Sequence, residues 1–247
     1  MQVNITETYE ELSEAAAELV IAQLRDKPDT VLGLAAGSTP VLLYQKLAEA
    51  KRQGLVDFAE VRTFALDEYI GLGPEHPQSF YYFMQKNVYG PWGLREDQIE
   101  YPNGMAVDIA TECARYGRAI ASGGGIDLMI LGIGPNAHIG FNEPGESFVS
   151  ETHVVELSEA TRAANARFFE APDEVPEWAI SMGIRDIMLS KSIIMLANGS
   201  GKTTALKKAV TGDINPFAPA SVLQLHRDAI VLADKAAAAR LPQLTGE

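Results

Sequence analysis

The chain has 247 residues, 47% hydrophobic and 21% charged, which fits one large α/β domain better than two small ones. Its 33 acidic and 20 basic side chains leave a net charge of −13, which opposes a nucleic-acid partner and requires any anionic ligand to be captured by local groups. No run approaches the roughly 18 apolar residues that cross a membrane, Met1 to Glu7 lacks the basic and apolar parts of a signal peptide, and the lone Cys113 excludes an internal disulfide, so a cytoplasmic protein is expected.

Thr8 followed by Glu11 is a capping box that opens an amphipathic helix over roughly 8 to 25. Strand and helix then alternate: a strand at Thr30 to Ala35, a helix at Pro40 to Arg52, a strand at Glu60 to Leu66 and a helix at Gln78 to Val88. Asp108 to Ser122 reads as a helix and 126 to 133 as a strand buried on both faces, because its apolar run is nearly continuous. A polar stretch at 157–178 follows. A helix near 179 to 190, a strand at 192 to 197, a helix at 201 to 211, a strand at 228 to 233 and a short terminal helix complete the chain. Repeated βα units predict a single-domain, doubly wound, mainly parallel sheet with helices on both faces.

Chemistry concentrates where the strands end. After Leu131 the apolar run breaks into Gly132, Gly134, Asn136, His138, Gly140 and Glu143, at the carboxyl end of a strand where open α/β sheets bind ligands. His138 can donate or accept a proton near neutral pH, and Asn136 and Glu143 can orient it; a structural histidine in a turn is the bland alternative. Gly132-Ile133-Gly134-Pro135-Asn136-Ala137 imitates a dinucleotide fingerprint, but Pro135, Gly140 and Pro144 make the continuation an irregular loop where that motif needs a helix.

Two further turns could hold an anion. Gly37-Ser38-Thr39-Pro40 runs from a strand into a helix, either as a phosphate cradle or as a plain cap, and the motif alone leaves both readings open. Asn198 to Thr203 resembles a nucleotide P-loop, yet Leu196 stands where the first glycine is required; a glycine-rich turn with Lys202 remains, enough for a sugar phosphate. Asp67 and Glu68 end a strand, as caps or, given their neighbours at the same sheet edge, with Asp67 as a general base. The stretch from Thr161 to Phe169 sets Arg162 and Arg167 beside aromatics. Such arginines are commonly solvated, but an excursion after a site loop can serve as a lid, here about 157–180, carrying an arginine onto phosphate.

On these residues the whole chain resembles the glucosamine-6-phosphate deaminases, within the wider group that also contains 6-phosphogluconolactonase. Leu66-Asp67-Glu68-Tyr69, His76-Pro77, Gly134 to Pro144, Thr161 to Phe169, Gly199 to Lys202 and Leu223-Gln224-Leu225-His226 carry the resemblance, and Asp-Glu-Tyr with His-Ile-Gly-Phe-Asn-Glu-Pro separates it from the lactonases. The resemblance implies that His138, with Asn136 and Glu143, opens the ring of glucosamine 6-phosphate. It further implies that Asp67 moves a proton from C2 towards C1, that fructose 6-phosphate and ammonia are the products, and that neither a metal nor a redox cofactor is needed. Gly37, Ser38, Thr39, Arg167 and Lys202 would hold the phosphate. A galactosamine-6-phosphate deaminase, a 6-phosphogluconolactonase and a sugar-phosphate sensor without catalysis are the alternatives. Two departures stand out: some members carry aspartate in place of Asn136, and Glu146 to Val155 has no Lys or Arg, where allosteric members bind an N-acetylated sugar phosphate through basic residues. A monomer or homo-oligomer without that regulatory site is therefore expected.

Overall fold

The computed structural model describes residues 1–166, 169 and 171–242. Thr8 caps the first helix, α1 (Tyr9–Asp26), by accepting the Glu11 N–H at 3.1 Å, while the Glu11 carboxylate reaches back one residue further than in an ideal box, to the Glu7 N–H at 2.9 Å. Strands β1 (Gln2–Thr6), β2 (Val31–Leu34), β3 (Arg62–Ala65), β5 (Ile99–Glu100), β6 (Leu128–Gly132), β9 (Ser192–Ala197) and β10 (Ala229–Asp234) form one parallel sheet in the order β1-β10-β9-β6-β2-β3-β5. Alternation along each apolar run feeds two cores. Leu32, Leu128, Ile130, Ile194 and Leu196 face one, with α1 and α2 (Val41–Arg52); Phe64, Met129, Leu131, Ile193 and Met195 face the other, with α5 (Ile109–Ser122) and α8 (Thr203–Thr211).

From β2 the chain proceeds to β3 on one side, and from β6 to β9 on the other, so a topological switch lies between the carboxyl ends of β2 and β6. A second, antiparallel sheet stands beyond that end: β4 (Asp67–Tyr69), β8 (Trp178–Ser181) and β7 (His153–Glu156), in the order β4-β8-β7. Only Leu66 separates β3 from β4, and its N–H still donates to Leu34 O of the main sheet while its carbonyl accepts from Met182. The excursion between β7 and β8 carries α6 (Glu159–Asn165), and its ends are held together by the Glu156–Trp178 pairing and the Leu157 N–H to Glu177 O bond.

Three expected elements are corrected. Residues 178–181 are strand, and the helix expected near 179 to 190 shrinks to α7 (Ile184–Met188), because Ala179 and Ile180 pair on both sides and Gly183 presses against the Ser150 and Glu151 carbonyls. The expected helix at Gln78 to Val88 begins as α3 (Phe80–Met84), passes through a π-helical turn at Gln85–Tyr89 and ends as α4 (Gly90–Trp92). The helix expected from 201 starts at Thr203, after a 3₁₀ turn at Ser200–Lys202. Strands β1, β4, β5, β7 and β8 were not anticipated. A short final helix, α9 (Lys235–Ala238), closes the described chain.

Candidate active site

The turn from β2 into α2 passes through Gly37 at φ +107°, a left-handed conformation that costs a side chain dearly. Pro40 stands at the N-terminal cap of α2 and offers no capping side chain, while the Tyr9 hydroxyl accepts the Leu42 N–H of its first turn at 3.2 Å. Thr39 Oγ1 donates to Asn198 Oδ1 at 2.9 Å and so ties this turn to the one that follows β9. There Gly199, at φ +83°, donates its N–H to the Asp234 carboxylate, and Lys202 comes next.

The loop after β6 folds back on itself, with Gly134 N–H to His138 O at 2.9 Å and Ala137 N–H to Gly134 O at 3.0 Å. Ala137 is held at φ +72°, the one non-glycine with positive φ among the described residues, and its carbonyl is pinned by the Ala220 N–H. Gly134 has to be glycine for a different reason: a Cβ there would sit 2.2 Å from His138 Nε2. Strand β8 joins this loop to Asp67. Ser181 is paired with Asp67 across the small sheet, while its hydroxyl accepts the Phe141 N–H at 3.1 Å, and Asn142 Nδ2 donates to Met182 O at 2.8 Å.

These turns enclose one cavity of about 410 Å³, lined by Gly37, Ser38, Thr39, Asp67, His138 and Lys202 among others. Tyr69, Phe80, Phe141 and Phe169 form an aromatic cluster beside it, with ring centroids 4.7 to 6.0 Å apart. Asn136 and Glu143 stand behind His138 rather than on the cavity wall. Asn136 donates to Glu143 Oε2 at 2.7 Å and accepts the His138 N–H at 3.2 Å, so the amide fixes the carboxylate and the loop and does not touch the imidazole. Glu143 Oε1 lies 3.4 Å from His138 Nδ1. Burial works against the Glu143 charge, yet His138, Thr161 and Asn136 outweigh it and hold the carboxyl below its usual range.

Asp67 is buried, and among the described residues its carboxylate receives no hydrogen bond. Burial first, and then the Glu68 charge, push it up to about 8. Glu68, also raised by burial, to about 7, is held by the N–H groups of Tyr69, Phe80 and Tyr81 at 2.7 to 2.9 Å, which lower it in part and anchor the start of α3. A base whose affinity for protons lies near the working pH suits proton transfer at carbon.

Arg167 lies outside the described residues. Ser158 was not singled out in the sequence, and Thr161 and Asn165, within the stretch that carries the resemblance, had no role of their own there: Ser158 caps α6 and donates to Glu143 Oε2 at 3.3 Å, Thr161 donates to Glu143 Oε1, and Asn165 donates to the Tyr69 hydroxyl at 2.9 Å. A Ser-x-x-Thr cap was visible in the chain, but nothing local showed what it faces.

The profile of the glucosamine-6-phosphate isomerase/6-phosphogluconolactonase family matches residues 5–232. The chain belongs to this family. Among its relatives in the family, glucosamine-6-phosphate deaminase of Clostridium botulinum (strain Loch Maree / Type A3) is 52% identical over 241 residues, 98% of this chain and 99% of that one. The Thermoanaerobacter sp. (strain X514) glucosamine-6-phosphate deaminase is 50% identical over 242 residues, 98% and 96% of the two chains. A solved monomeric glucosamine-6-phosphate deaminase superposes with a TM-score of 0.94 at 44% identity, covering 97% of this chain and 99% of its own. The 6-phosphogluconolactonase of Trypanosoma cruzi shares the fold at TM-score 0.77 with 20% identity, over 97% and 96% of the two chains. The family fold is thus the doubly wound parallel sheet described above.

Proposed function

We propose that the cavity converts glucosamine 6-phosphate and water to fructose 6-phosphate and ammonia. The observation that carries this reading is the meeting of Asp67 and His138 with both glycine-rich turns in one cavity, in a chain half identical to glucosamine-6-phosphate deaminases along its length. The α2 N-terminus, Gly37, Ser38, Thr39 and Lys202 bind the phosphate, joined by Arg167, and hold the sugar by an end remote from the reacting carbons. His138, its Nδ1 edge towards Glu143, exchanges protons with the anomeric and ring oxygens to open the pyranose.

Asp67, held ionised by the neighbouring substrate ammonium, then removes the C2 proton while that ammonium gives up a proton to O1, and an enolamine forms. Protonation at C1 gives the C2 iminium; water adds there and ammonia leaves. The excursion at 157–177 acts as the lid, slightly shorter than its expected extent because residues 178–180 belong to β8.

A second cavity, of about 280 Å³, lies against the 145–149 loop and β7. Among the described residues its wall includes Glu146, His153 and Glu156 and neither Lys nor Arg, a poor seat for a second sugar phosphate. The reading therefore excludes activation by N-acetylglucosamine 6-phosphate, and with it any need for a hexamer. No helix among the described residues is long and apolar enough to cross a membrane, and a phosphorylated sugar substrate goes with the cytoplasmic location already expected.

Purified protein incubated with glucosamine 6-phosphate should release ammonia and fructose 6-phosphate in equal amounts, with a hyperbolic rate curve that N-acetylglucosamine 6-phosphate leaves unchanged. Absence of ammonia, with hydrolysis of 6-phosphogluconolactone instead, would overturn the reading. A sigmoidal curve made hyperbolic by the N-acetylated sugar would overturn its regulatory part alone.

A further inference from the structure

We propose that Thr161 is a positioning residue that keeps Glu143 out of hydrogen-bonding alignment with His138 until the cavity is filled, so that occupancy sets when the imidazole is coupled to its carboxylate. The inference rests on the ring-opening role given above to His138, and it concerns a residue of the excursion to which that reading assigns no part.

His138 Nδ1 is buried and forms no aligned hydrogen bond among the described residues, although Glu143 Oε1 is only 3.4 Å away. The same Oε1 accepts the Thr161 hydroxyl. On the other side of the carboxylate, Oε2 is fixed by Asn136 at 2.7 Å and by Ser158 at 3.3 Å. Glu143 therefore has one anchored oxygen and one contested oxygen, and Thr161 holds the contested one. A buried ring nitrogen left unpaired beside a carboxylate is unfavourable, so the pair forms once Thr161 lets go.

What would make it let go is in the same place. Thr161 and Asn165 line the main cavity from α6, and Asn165 binds the hydroxyl of Tyr69, two residues after Asp67. Any ligand that fills the cavity bears on the helix that carries the Thr161 hydroxyl, and a sugar hydroxyl or ammonium there competes for it directly. Among the described residues, Asp67 and Lys202 are the other charged groups on the cavity wall.

The test uses the whole protein with nitrogen-15-labelled histidine and the variants Thr161→Val, Thr161→Ser and Ser158→Ala, each free and with an acyclic amino-alditol 6-phosphate as the probe. Valine matches threonine in shape and lacks the hydroxyl; serine restores it. In the free protein Thr161→Val should show a low-field, hydrogen-bonded Nδ1–H signal of His138 that the wild type and Thr161→Ser lack, and the wild type should acquire this signal when the probe binds. Ser158→Ala, which relieves only Oε2, should resemble the free wild type.

The proposal is overturned if the free wild type already shows the signal, if Thr161→Val matches it, or if Ser158→Ala produces the same change and so reports general loosening of the excursion. A wild type that shows these signals yet releases no ammonia from glucosamine 6-phosphate would sink the catalytic reading while the hydrogen-bond exchange stands.

Discussion

Asp67 is a carboxyl group kept where ionisation is resisted, by burial and by the charge of Glu68. In the unfolded chain it titrates near 3.9, in the folded chain at about 8. The folded state thus binds this proton more tightly, and the stability it contributes is complete below the unfolded value and drains away as pH rises towards 8. Asp67→Asn removes that loss. The variant's advantage in denaturant unfolding should be small at pH 4 and grow to on the order of 5 kcal/mol by pH 8. Its turnover should fall by about 100-fold or more, the typical worth of a placed base, while phosphate-anchored binding persists. In the wild type kcat/KM should decline as pH drops below about 8, because the base must be ionised to act. A less stable Asp67→Asn variant, or one keeping a tenth of the activity, would remove Asp67 from this role.

Among the elements, the small sheet decides where Asp67 and the imidazole loop meet, and its weak point is Gly183. A Cβ there would lie 2.3 Å from the carbonyl oxygens of both Ser150 and Glu151, backbone atoms that cannot swing aside. Gly183→Ala should cost about 3 kcal/mol, measured by denaturant unfolding, as the segment leading into β7 is driven from the start of α7; a loss below about 0.5 kcal/mol would show that the contact relaxes freely. This sheet was also the part of the fold that sequence patterns concealed. β2, β6 and β9 announce themselves through apolar runs covered on both faces, whereas β4 has three residues and β7 alternates between half-buried and exposed positions, too short and too polar to register. Their pairing joins residues 68, 154 and 180, and no local window holds all three. Asp67, His138, Gly37 and Lys202 were legible because each stands where a strand or its turn gives way to polar chain. The hydroxyls of Ser158 and Thr161 were not, because a cap looks the same in sequence whatever it faces.

For the whole molecule, the two turns proposed to hold the phosphate belong to opposite wings of the main sheet, one leading to β3 and one following β9, joined by the Thr39–Asn198 bond. An anion seated between them cross-links the wings and stabilises the folded state by mass action. Inorganic phosphate at about 100 times its dissociation constant should add about 2.7 kcal/mol, or roughly 5 to 10 °C in melting temperature for a chain of this size. Sulfate should act likewise, chloride at equal ionic strength should not, and Lys202→Ala should weaken the effect. An equal shift with chloride would mean that screening of the net charge of −13, not a seated anion, is responsible.

The paired ends of the 157–177 segment make it an exchangeable cassette. Since Glu156 and Trp178 fix the two splice points side by side, the insert can lengthen, shorten or change composition at an entropic penalty that grows by only about 0.6 kcal/mol per doubling. Substrate range can drift through replacement of that cassette while the chassis beneath it stays the same.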